Sequence, residues 1–148
     1  MKKITEEELK TILEQHTLWL DSNETEGKRA DLTDANLSGA DLSGANLTRA
    51  NLAYANLTGA YLTRANLSGA DLIGAHLYVA YLSGADLYGA ILIGTNLTGA
   101  NLRHADLSGA NLTCANLTGA DLELAILTDT ILDEKEQCRK GIVLTEPM

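Results

Sequence analysis

The chain has 148 residues and a formal net charge of −9, which allows one domain and disfavours direct binding to a phosphate backbone or an anionic membrane surface. It holds no Phe, one Trp and one Pro but thirteen Gly, and so excludes an ordinary core of mixed aromatic and β-branched side chains. No apolar run approaches the roughly 18 residues that cross a bilayer, and the opening MKKITEEELK carries acids where a signal peptide is apolar, so a cytoplasmic chain with reduced Cys114 and Cys138 is expected.

In chain order, the first predicted element is a helix over residues 6–20. Thr5 and Glu8 have the spacing of a capping box, and Ile4 and Leu9 that of a hydrophobic staple. The helical period puts Leu9, Ile12, Leu13, His16 and Leu20 on one stripe, with Trp19 near its rim. Such a helix suits a lid over the start of the next element. The stretch DSNETEGKR then reads as a linker, so that residues 1–29 form an N-terminal capping segment.

From residue 30 the sequence keeps a period of five. Leu stands at every fifth position from Leu32 to Leu132, which makes twenty-one repeats over residues 30–134. Ala stands two residues before each Leu, replaced only by Thr95 and Thr130. The unit is A-(D/N)-L-(S/T)-G, seen undisturbed as ADLSGANLT from Ala40 to Thr48. Five fits neither a helix nor an alternating strand, so the chain must bend once per repeat. Gly ends eleven of the repeats, where a type II turn demands positive φ. Corners occupied by Arg49, Tyr54, Val79 and Leu124 are expected to use another turn type, because positive φ costs a side-chain-bearing residue energy. If each repeat makes one side of a square, residues twenty apart stack. Twenty-one repeats then give about five coils in a column about 25 Å tall at the usual ~4.8 Å strand spacing. Leu points to the axis, and Ala packs beside it near the corner.

The motif resembles the pentapeptide-repeat family over residues 30–134. That resemblance implies an all-β solenoid, a right-handed quadrilateral β-helix, here with a helical N-terminal cap and a short C-terminal helix. In the final segment, residues 135–148, Asp133 with Glu136 can start that helix, Arg139 and Lys140 suit its last turn, and Gly141 stops it. The tail residues Ile142, Val143 and Leu144 are then available either to fold back over the last coil or to pair with a second copy.

Stacking at twenty-residue spacing also sorts the outward residues by face. One face carries Asn36, Asn56, His76, Asn96 and Asn116 and no charged residue at all; mutual hydrogen bonding of stacked amides is the expected role of this column, and docking against another flat surface is the alternative. Around the middle coils Ile73, Tyr78, Val79, Tyr81, Tyr88, Ile91 and Ile93 replace the polar consensus, forming an apolar belt that is the candidate interaction patch. Tyr61 and Tyr81 stack on one face. His76, His104 and Cys114 fall on three different sides and cannot share a metal ion. Asp86 and Asp106 stack on a convex surface without a cleft. No catalytic, cofactor or metal residue is assigned, and the chain is expected not to be an enzyme. The leading reading is an interaction or structural module for a protein partner or for self-association, with no direct nucleic-acid or membrane contact. The alternative, which the resemblance brings, is mimicry of DNA towards a basic protein such as DNA gyrase. Residues 30–134 hold eleven acids against Arg49, Arg64 and Arg103, a net of −8, about half the charge of duplex DNA over the same ~25 Å length.

Overall fold

The computed structural model describes residues 1–133; the proposed C-terminal helix and tail lie outside the described residues. The chain opens with a two-residue strand, β1 (Lys2–Lys3), followed by α1 (Glu6–Asp21), and β2 (Ala35–Asn36) pairs in parallel with β1. Every later pairing joins residues twenty apart. The central residue of one side runs Asp31 to Asn51, Asp71, Ile91, Asn111 and Ile131, and three further series start at Asn36, Asp41 and Asn46. Each series is a side of the column, named here by its first member.

The ladder has a fixed chemistry. The Leu32 N–H donates to the Asn51 carbonyl at 2.8 Å, and the Asn51 N–H donates back to the Ala30 carbonyl at 2.9 Å. The Asp34 N–H reaches the Ala53 carbonyl at 3.0 Å, so even the corner residue donates to the coil after it. Leu side chains from Leu32 to Leu117 are buried together with nearly every repeat Ala, forming one axial core. That packing needs small residues beside the leucines. Thr95 and Thr130, which replace Ala, are also buried, and their hydroxyls donate to the Leu72 and Leu107 carbonyls at 2.9 and 2.7 Å.

The corners differ from the sequence expectation. Arg49, Tyr54, Val79 and Leu124 adopt φ of 58°, 59°, 49° and 60°, the same left-handed region as the corner glycines. The N–H groups of Arg49, Tyr54 and Val79 still join the ladder, as when Tyr54 donates to the Ile73 carbonyl at 2.8 Å. A left-handed residue costs about 1–2 kcal/mol. A different turn would break a backbone hydrogen bond between coils and shift the next Leu off the axis, so the ladder prevails over local preference.

Several of these corner side chains lie over the corner twenty residues on. The Tyr54 ring covers Gly74, Arg49 covers Gly69, Arg64 covers Gly84, and Val79 covers Gly99. At Gly74 an added Cβ would stand 2.6 Å from the Tyr54 ring. The glycine is there required twice, once by its φ of 62° and once by its neighbour.

Helix α1 begins as the capping box predicts. Thr5 Oγ1 accepts from the Glu8 N–H at 3.1 Å, and Glu8 Oε2 accepts from the Thr5 N–H at 2.8 Å. Hydrogen bonding of the Glu8 carboxylate to Thr5, to its backbone N–H first and its side chain second, holds that carboxyl below its usual range. Leu9, Ile12 and Leu13 pack against the axial core. His16, the buried member of the stripe, makes the joint between helix and column. Its Nδ1 accepts from the Ala30 N–H at 3.0 Å, so the ring proton sits on Nε2, which donates to the Thr48 carbonyl at 3.0 Å. Burial is the main cause that lowers the His16 pKa, and the neutral ring is the form that fits both partners. Trp19 stacks on His16 with centroids 5.5 Å apart, and Arg49 lies over the Trp19 ring while pairing with Glu24 at 2.6 Å. Gly27, at φ 71°, closes the linker where a Cβ would collide with backbone atoms of Gln15 and Trp19.

Candidate interaction surface

The polar consensus residues turn out to serve the corners. Asn or Asp at the second position accepts the N–H two residues on, as in Asp31 from Thr33 at 3.1 Å and Asp106 from Ser108 at 2.9 Å. Where the fourth residue is Ser or Thr, its hydroxyl often donates to the same oxygen, for example Thr113 to Asn111 at 2.6 Å. This is an Asx turn. It corrects the expectation for the uncharged face, because Asn36, Asn56, Asn96 and Asn116 bond their own corners through Oδ1. The same bonds lower the Asp31 pKa, mainly through the Thr33 hydroxyl, and the Asp41 pKa, mainly through the Ser43 N–H.

Against this background the apolar substitutions are costly. Tyr81 and Ile91 occupy positions where an Asn or Asp oxygen would hold the corner, and they expose 44% and 36% of their surface. Tyr78, Val79 and Tyr88 are exposed as well, while Ile73 and Ile93 are half-buried. The pairing register divides the seven residues into two groups. Ile73, Ile91 and Ile93 lie on the Asp31 side, with Tyr88 at the corner leading into it and the Tyr54 ring over Gly74 alongside. Tyr78 and Val79 lie at the end of the Asn36 side, and Tyr81 begins the next side, stacked on Tyr61 at 4.9 Å and 4°. The first group runs along the whole Asp31 side, from Tyr88 to the turns at Ile73 and Ile93 that lead into the Asn36 side, while the second gathers at the far end of the Asn36 side.

The charged groups offer no comparable concentration. Arg103, on the Asp41 side, pairs with Asp121 at 3.3 Å and with Glu123, and these partners, Glu123 foremost, raise its pKa. Asp86 and Asp106 stack, but each Oδ1 is engaged in a corner bond at 2.9 Å. His76, His104 and Cys114 lie on different sides, and among the described residues no three His, Cys, Asp or Glu side chains gather where a metal ion could sit. No helix among the described residues is long and apolar enough to cross a membrane. The joint at His16 was missed by sequence reading. Both its partners are backbone groups, which leave no residue-type signal.

A stacked column of five-residue sides, built on axial leucines and Asx-turn corners, defines a class of repeat solenoid. The sequence matches the family of pentapeptide repeats over residues 30–69, 60–99 and 90–129, and the chain belongs to it. Members fold as right-handed quadrilateral β-helices. The chain is similar to the crystal structure of Alr5209, a pentapeptide repeat protein from Nostoc PCC 7120, at 32% identity and a TM-score of 0.65, covering 83% of this chain and 96% of that one. It is similar also to a pentapeptide repeat protein of the Arabidopsis thaliana thylakoid lumen, at 32% identity and a TM-score of 0.48, covering 74% and 73% of the two chains. No curated protein matches.

Proposed function

We propose that the chain is a non-catalytic protein-interaction module: a rigid column of about five coils, covered in part at its start by residues 1–29, that presents its apolar side chains to a protein partner. The observation that carries this reading is the placement of Tyr81 and Ile91. Each gives up a corner hydrogen bond and leaves apolar surface in water, a combination that lowers stability and is explained by contact with something else. The patch on the Asp31 side, Ile73, Ile91 and Ile93 with Tyr88, is the more extended of the two. Tyr81 has a local stacking partner in Tyr61, which supports its place in the column as well as a binding role. An exposed free thiol at Cys114 suits a reducing compartment, in keeping with a cytoplasmic location.

Mimicry of DNA is the weaker reading. The acids of the repeats are spread over three sides, and Asp121 and Glu123 are engaged by Arg103. The test is crosslinking in lysate of the native host with wild type, Ile91→Ser and Tyr81→Ser. Loss of one specific crosslinked species in either variant supports the proposal; identical crosslinking by all three removes the belt as a binding surface. A supercoiling assay with gyrase, unaffected by the protein, closes the alternative.

A further inference from the structure

The first coil is completed unevenly. On the Asn36 side the chain adds its own strand: β1 pairs in parallel with β2, and the Lys2 N–H donates to the Asp34 carbonyl at 2.9 Å. At the end of the Asn46 side, His16 satisfies the Thr48 carbonyl. Between them, the outer edge at Asp41 and Asn46 is open. In the next coil the equivalent groups are used, since the Tyr61 N–H donates to Ala40 and the Tyr61 carbonyl accepts from Leu42. The N–H and C=O groups of Asp41 and Asn46 receive no such partner among the described residues, and both residues are exposed.

Beside this edge a cleft of about 700 Å3 runs between α1 and the column. Leu9 and Leu13 form one wall and Ala40 and Ala45 the other, all only partly buried. Glu6, Glu14 and Asp41 against Lys10 make the rim acidic. Open ladder groups next to apolar walls are the requirements for adding an extended strand, and the rim selects one with basic residues. Residues 139–145 of this chain, Arg-Lys-Gly-Ile-Val-Leu-Thr, have that chemistry: two cations followed by strand-forming side chains. They follow Asp133, which belongs to the last coil, at the end of the column away from the cleft.

We propose that the tail of a second copy enters this cleft, residues 142–145 as a parallel strand along the Asp41 edge with Arg139 and Lys140 against the acidic rim, so that copies join head to tail. The surface is separate from the apolar belt, and the proposal does not depend on a role for it. Such an interface is heterologous: each copy offers one cleft and one tail, and association continues beyond a dimer.

Sedimentation velocity over a wide range of concentrations tests this with the full chain. Wild type is expected to form a concentration-dependent series of oligomers that weakens with salt. Glu6→Lys with Glu14→Lys, both on the exposed rim, weakens association about tenfold or more, and Val143→Pro, which removes a strand donor outside the column, abolishes it. Adding Arg139→Glu and Lys140→Glu to the rim variant restores association by swapping the charges. Mixing the rim variant with the Val143→Pro variant gives a one-to-one dimer and nothing larger. Circular dichroism confirms that each variant remains folded. A wild type that stays monomeric at every concentration overturns the proposal. So do oligomers that persist in Val143→Pro, or a mixture of the two variants that forms no dimer.

Discussion

Acidification from pH 7 to 5.5 should loosen α1 from the column through His16 alone. In the folded chain Nδ1 accepts the Ala30 N–H, so a proton added there would face another donor inside a buried site. The folded pKa is therefore depressed, chiefly by burial. A depressed His pKa contributes stability that is fully present above the unfolded value of about 6.5 and is lost as pH falls below it towards the folded value. If the folded ring stays neutral throughout, the loss between pH 7 and 5.5 reaches ~1.2 kcal/mol, an upper bound set by proton uptake of the unfolded chain alone. Glu8, Asp31 and Asp41, whose pKa values are also lowered, stabilise above their unfolded values near pH 4 and lose that contribution only below. The two windows are thus separate. Trp19, the sole tryptophan, stacks on His16 and reports on the joint directly. Urea titration followed by its fluorescence should give a lower midpoint at pH 5.5 than at pH 7. His16→Gln keeps one acceptor and one donor but cannot gain a proton, so it should be less stable at pH 7, by about 1–3 kcal/mol for imperfect pairing of buried groups, and show no shift between the two pH values. An equal shift in wild type and His16→Gln would refute the reasoning.

Other substitutions probe the column. Gly89→Ala meets open space but must hold φ of 63°, and should cost about 1 kcal/mol; Gly74→Ala adds a collision with the Tyr54 ring and should cost more, with Tyr54→Ala removing the difference in a thermal-melt cycle. Gly27→Ala should free α1, because its Cβ would displace backbone of Gln15 and Trp19; altered Trp19 fluorescence with an unchanged main denaturant transition is the expected result. Leu72→Ala, which empties a fully buried axial site, should cost about 2–5 kcal/mol in chemical denaturation. Thr95→Ala restores the repeat residue and removes only a second bond to the Leu72 carbonyl, which Ala75 already serves at 3.0 Å, so its cost should stay below about 1 kcal/mol.

The column was legible because its signal is periodic. An unbroken Leu every fifth residue gives the inward direction, and Ala beside it tells how closely the sides approach. The capping box of Thr5 and Glu8 was equally clear, since its partners are three residues apart. Corners such as Tyr54 and Val79 misled, because their φ cost is local while the hydrogen bonds that outweigh it come from a coil nineteen residues away. The Asn column invited a reading along the stack, whereas each Oδ1 turns back to its own strand. β1 carries no strand signature at all in Lys2 and Lys3; an open edge recruits it. The apolar belt could be named residue by residue, yet its division between the Asp31 side and the far end of the Asn36 side follows only from the order of the sides.

The twenty-residue register also limits how such a chain can change length. Inserting a single five-residue unit after Leu72 would advance everything downstream by a quarter turn: Tyr81 would leave Tyr61, and Gly74 would no longer lie beneath the Tyr54 ring. An insertion of four units returns every downstream side chain to its former direction and only lengthens the rod. Duplications and deletions that preserve the surface must therefore come as whole coils, and a designed series differing by one, two or three units would place one fixed patch at successive compass points around the same axis.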